Sequence, residues 1–147
     1  MREILFRGKS SYSCEWVEGY FSMEVGGIPY IQWLEYDDKY HEEVVEECAV
    51  ILDTVGQYTG LKDKNGTRIF EGDIVKITGF HTTAIAAVKY GSRSEKSTSW
   101  GWYFDDNDGH TYHLESQAFC KDYNAIIIGN IHDNPELLKG VKSDERT

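Results

Sequence analysis

With 147 residues, 40% of them apolar and 14% aromatic, the chain can build one cored domain, or one small domain plus an attachment. A formal net charge of −10 is opposite in sign to that of proteins that neutralise nucleic-acid phosphates or settle on anionic membranes. Three cysteines, Cys14, Cys48 and Cys120, with no CxxC pair, argue against a disulfide framework or a zinc knuckle and fit a reducing compartment.

The chain opens on MREILFRGK, which has charges inside its apolar run and no leader-like core, and EILFR reads as a short strand. No apolar run approaches the roughly 18 residues of a membrane span, so a cytoplasmic protein without a membrane segment is expected. EWVEGYF, with Gly19 at its centre, and IPYIQWL, after Gly26–Gly27, read as strands separated by glycine turns. Pro29 marks an edge strand or the start of one. Residues 35–47, EYDDKYHEEVVEE, hold seven acids and one lysine. A short helix or a charged hairpin would fit, but the weak period favours an acidic loop that runs into a strand at AVIL. The acids are concentrated early. Residues 1–56 carry four basic and twelve acidic side chains (net −8), and residues 57–147 carry eleven and thirteen (net −2).

QYTGLKDKNGTRIFEGDIVKI comes next. Asn65–Gly66 inside KDKNG is a strong hairpin signal, because both residue types tolerate positive φ. That makes Lys62 and Lys64 solvated turn residues. A phosphate cradle would need glycines, a lysine and a hydroxyl in P-loop order, and that order is absent. TAIAAVKYG places Ala84, Ala86, Val88 and Tyr90 on one face, pressed against a neighbour. SRSEKSTS reads as a loop tip, WGWYF puts Trp100, Trp102 and Phe104 on one face, and DDNDG is a turn. NAIIIGNI reads as a buried strand. NPELLKG suggests one helical turn with Asn134 as N-cap and Pro135 in the first helical position. Residues 140–147 read as a disordered tail. About five short strands between residues 57 and 133 fit a small SH3-like antiparallel barrel over 57–139, with a β-rich region over 1–56.

Chemistry is sparse. His110 and His113 lie near Asp105, Asp106 and Asp108, but residues three apart on a strand point to opposite faces, and the calcium-loop ligand order is missing. No metal or other cofactor is expected. Glu71 and Asp73 would need a cleft to act as a catalytic pair, and Asp73 more simply accepts backbone N–H groups at its turn. Cys120 reads as a buried, inert thiol. Trp100, Trp102, Tyr103 and Phe104 lie near Arg93 and Lys96, as in base-stacking surfaces, but three aspartates follow, and core packing is the better explanation, since aromatics dominate small-domain cores. Trp100, Trp102 and Tyr103 remain the binding candidates.

Taken together, REILFRGK, EWVEGYF, TVGQYTGLKDKNGTRIFEGDIVKI and IIIGNIHDNPELL resemble the YopX family of Gram-positive phages and prophages. The likeness spans the chain apart from the acidic segment and the middle loops. It implies a β-rich fold with an SH3-like C-terminal barrel and transfers no catalytic residue. The matched positions are Gln57, Tyr58, Gly60, Leu61, Asp63, Asn65, Gly66, Glu71, Gly72, Asp73, Gly129, Asn130, Asn134 and Pro135. They are turn formers, caps and strand starts, so their expected role is structural. The functional expectation is a non-enzymatic accessory protein that binds a protein partner, one with a basic surface, and self-associates through open strand edges. The alternative is a nucleic-acid-binding barrel, if Lys62, Lys64, Lys76, Lys89 and Arg93 share a face.

Overall fold

The computed structural model describes residues 3–79, 82–92, 100–114 and 117–138. The loop expected at SRSEKSTS, with its Arg93 and Lys96, and the tail at 140–147 lie outside the described residues, save Ser92. The chain divides into two compact units, Met1–Tyr58 and Thr59–Thr147.

The first unit is a meander of β1 (Phe6–Lys9), β2 (Trp16–Met23), β3 (Pro29–Asp37) and β4 (Glu42–Ala49), with β5 (Gly56–Lys62) starting beside β1. Gly26 and Gly27, at φ +105 and +82, make the β2–β3 turn as expected. Gly19 makes no turn. It lies within β2, where an added Cβ would sit 2.1 Å from the Gln32 carbonyl oxygen, so only glycine allows that approach. Pro29 opens β3, where a missing N–H costs least.

The acidic segment corrects its expectation. It is a hairpin and not a loop, paired from Tyr30↔Ala49 to Asp37↔Glu42. Its tip is closed by Asp37 Oδ1, which accepts the N–H groups of Lys39 (2.8 Å) and Tyr40 (3.3 Å). The strand expected at AVIL ends at Ala49; Val50 forms only a bridge to Ser10, and a 3₁₀ turn follows at Leu52–Thr54. Side chains alternate across a strand, so Phe6, Phe21 and Ile31 share one face of this sheet, with the Phe6 and Phe21 rings 5.5 Å apart. Ile31 and Val50 are buried there, and Gly8 leaves room for both.

In the second unit, β5 is followed by β6 (Arg68–Phe70), β7 (Asp73–Gly79), β8 (Thr82–Ser92), β9 (Trp100–Asp105), β10 (Thr111–His113), α1 (Gln117–Asp122) and β11 (Ile126–Asn130). Among the described residues that is seven strands where about five were expected, and α1 was not foreseen. One face of β7–β10 builds the core from Val75, Ile77, Ala86, Val88 and Phe104, closed by Ile69, Leu114, Cys120 and Ala125. β11 is less buried than its sequence suggested. It is an edge strand, and Ile128 is the extra residue of a bulge and exposed.

The mainly β expectation holds. Among the described residues, however, the strands pair as two open antiparallel sheets, ordered 4-3-2-1-5-6 and 10-9-8-7-11, and not as a closed ring. Among the described residues no helix is long and apolar enough to cross a membrane.

Candidate functional site

The KDKNG turn is a hairpin turn, but of a different type from the one its dipeptide suggested. Only Gly66 has positive φ (+85), and its N–H donates to the Asp63 carbonyl at 3.0 Å. This is a type I turn closed by a left-handed glycine. Asp63 is the centre of the arrangement and is 4% exposed. Its Oδ1 accepts the N–H groups of Asn65 and Thr67, both at 2.9 Å, and its Oδ2 accepts that of Ile127 at 3.1 Å. One carboxylate therefore shapes the turn and fastens it to β11. Lys64 is not available for a phosphate: its Nζ donates to Asn124 Oδ1 at 2.7 Å, and its N–H to the Ala125 carbonyl.

Asp73 does what its position beside a turn predicts. It is buried, and its Oδ2 accepts the Phe70 N–H at 2.7 Å. Gly72, at φ +91, exchanges backbone bonds with Val88 and Ile131. Glu71 is exposed on the turn before β7, so it does not share a strand face with Asp73. Asn134 departs from its expected capping role. Its Oδ1 accepts the Asn130 N–H at 3.3 Å instead, and among the described residues the helical turn it precedes takes in 136–138. Gly129 permits this, since a Cβ there would lie 2.5 Å from Asn134 Oδ1.

The remaining candidates do not converge. His110 Nδ1 meets Asp106 Oδ2 at 3.0 Å within its own turn, while His113 sits in β10 opposite Tyr103. Among the described residues no group of three His, Cys, Asp or Glu side chains is placed to hold a metal. Cys120 lies in the core. Burial, and next the charge of Asp63, push its thiol up to about 11. That keeps it protonated and unreactive at neutral pH. Trp102 packs half-buried against the core, with Tyr90 edge-on at 4.9 Å. Trp100 shares that face but is exposed, and Tyr103 is on the opposite one, so the three do not form a single stacking platform. Lys76 and Lys89 do share the face of β7–β8 opposite Val75 and Val88, although Ile74 and Ala87 on that face are buried. Lys89, however, pairs with Asp105 at 2.8 Å. Partial burial raises the Asp105 carboxyl, but the Lys89 hydrogen bond, the Asn107 N–H and the Lys89 charge together outweigh this and lower it.

The acidic hairpin is the feature with no internal explanation. Among the described residues none of its seven carboxylates has an ion-pair partner, and Asp37 stands directly opposite Glu42. Like charges facing each other across a ladder are destabilising. An open hollow at the tip is lined by Glu35, Tyr36, Asp37, Asp38, Lys39, Val44 and Glu46. Four of the seven are carboxylates, which is unlike a mostly apolar small-molecule pocket.

The family model described as YopX protein matches residues 5–139, so the chain belongs to that family. No curated protein matches it. A crystal structure described as protein EF1440 from Enterococcus faecalis is similar over 94% of this chain and 99% of that one. The TM-score is 0.56 and the identity 23%, which shows a shared fold and nothing about activity.

Proposed function

We propose that this YopX family member is a non-enzymatic accessory protein of a phage or prophage. It acts in the bacterial host cytoplasm by binding a protein partner that presents a basic surface to the acidic first unit. The observation that carries the reading is the β3–β4 hairpin, whose seven carboxylates and single lysine mass like charge on one exposed element that a cationic surface would complement. Natural sequences remove such conflicts unless they serve a purpose. The row Glu42, Glu43, Glu46 and Glu47 also protects the open edge of β4 from pairing with a second copy, so self-association uses another edge. The proposal takes residues 57–139 as an SH3-like scaffold, with its turn and cap residues in structural roles.

A second reading, a nucleic-acid module, is supported by Lys76 and Lys89 on one face and opposed by the net charge. Affinity capture from infected host lysate, at low and high salt and with nuclease in parallel, separates the two. A protein partner that survives nuclease and dissociates with salt is expected. Recovery that disappears with nuclease would sink the protein-binding reading and favour the second.

A further inference from the structure

The hairpin's acids are only half of the surface it presents. The register that places Ile31 in the core places the alternate residues of β2, β3 and β4 on the opposite face. On that face Leu34 stands directly across from Val45, Tyr36 from Glu43, Gln32 from Glu47, and Tyr20 from Gln32. A solvated face of an antiparallel sheet should be polar. Here Tyr20, Leu34, Tyr36 and Val45 are exposed by 64%, 61%, 56% and 66%. These are large apolar side chains on three adjacent strands, which marks an interaction site more often than chance exposure. Gln32 Nε2 donates to Glu47 Oε2 at 3.1 Å and so holds that glutamate on the same face.

We propose that this face of β2–β4 docks an amphipathic cationic segment of the protein partner. The inference rests on the protein-binding reading above and adds the surface and the chemistry of its occupant. The apolar side of the segment seats on the Leu34–Val45 pair, flanked by Tyr20 and Tyr36. Its lysines or arginines reach Glu43 and Glu47. Charge complementarity selects this occupant. A second copy stacked on the same face would bring Glu43 and Glu47 against their own kind, and an acidic or purely apolar partner would leave the hairpin's repulsion in place. On the same face the Tyr30 phenol is held above its ordinary value, first by the charge of Glu24, then by desolvation and by Glu47.

The test uses the full ¹⁵N-labelled chain titrated with three probes. These are an 18-residue peptide with leucine and lysine at helical spacing, the same composition scrambled, and poly-lysine. The patterned peptide is expected to bind most tightly and to shift the amides of Tyr20, Leu34, Tyr36 and Val45. The double variant Leu34→Ser, Val45→Ser changes only exposed positions, so an unchanged thermal melt certifies its fold. It should weaken the patterned peptide by about tenfold or more. Glu43→Gln with Glu47→Gln should weaken it by about threefold at low salt and flatten the salt dependence. If poly-lysine or the scrambled peptide binds as tightly as the patterned one, or the serine variant binds like wild type, the docking face is overturned while the acidic-surface reading stands. Shifts confined to β4 amides would equally overturn it, in favour of edge pairing. If none of the probes binds at any salt, both readings fail.

Discussion

In the second unit the carboxylates of Asp63, Asp73 and Asp106 are buried, and each accepts one or more backbone N–H groups of its own turn. In the first unit Glu35, Glu42, Glu43, Glu46 and Glu47 stand exposed on a hairpin, and among the described residues none has an ion-pair partner. The same functional group thus works at two ranges. Buried and singly placed, it satisfies donors that would otherwise be orphaned, and its effect ends within a few ångströms. Massed at the surface, it contributes little to local order and sets a field that extends over a Debye length, about 10 Å at ordinary ionic strength. The charge asymmetry of the sequence therefore separates a region whose buried carboxylates organise its own turns from one whose carboxylates face solvent.

Four substitutions sharpen or break this contrast. Phe104→Ala removes a fully buried ring of the second unit's core and should cost about 3–5 kcal/mol, read by urea unfolding. The same experiment on exposed Leu34→Ala should give less than about 0.5 kcal/mol, and equal costs would dissolve the distinction between core and surface aliphatics. Asp63→Ala strands three backbone donors and should cost about 2–4 kcal/mol, whereas Glu46→Ala on the hairpin should stay within about 0.5 kcal/mol. Hydrogen exchange at the Asn65, Thr67 and Ile127 amides should rise in the first variant alone.

Cys120 gives a pH test. Its thiol is raised in the folded state from an ordinary 9.0 to about 11, so the folded state favours the neutral form. Its contribution is fully present below pH 9 and is lost as pH rises through about 11, on the order of 2–3 kcal/mol. Cys120→Ala should flatten that alkaline decline. In the native protein a thiol reagent should modify exposed Cys14 quickly and leave Cys120 untouched until unfolding. The smallest stability effect belongs to the hairpin. Changing Glu42, Glu43, Glu46 and Glu47 to glutamine should alter stability by about 0.5 kcal/mol or less, in the stabilising direction at low salt, because like charges are removed. A large loss instead would mean that these acids hold the hairpin together.

Much of the local chemistry was legible. Alternation located most strands, KDKNG announced a hairpin turn, and Asp73 beside its turn pointed to a backbone acceptor. The misses share a cause. Gly19 has the look of a turn, and only the Gln32 carbonyl across the sheet explains why glycine sits mid-strand. Asn65–Gly66 suggested two positive-φ residues, but Asp63's side chain holds Asn65 in an ordinary turn conformation. The acidic segment lacked a clear period, because the hairpin buries little on either side beyond Ile31, so no alternation of polarity was required there.

By itself, then, the sequence determined what depends on neighbours a few bonds away: the β class, the hairpin turn, the carboxylate at a turn and the sign and skew of the charge. It also carried the family motifs, since most of these are turn residues whose constraint is local φ and a nearby donor. Tertiary structure decided what depends on partners far along the chain. It put Asp63 against the amide of Ile127, 64 residues on, and Leu34 across from Val45. It also decided which face of the first sheet is covered and which is bare. A period of two states only that a strand has two faces, whereas pairing and packing choose which of them meets water.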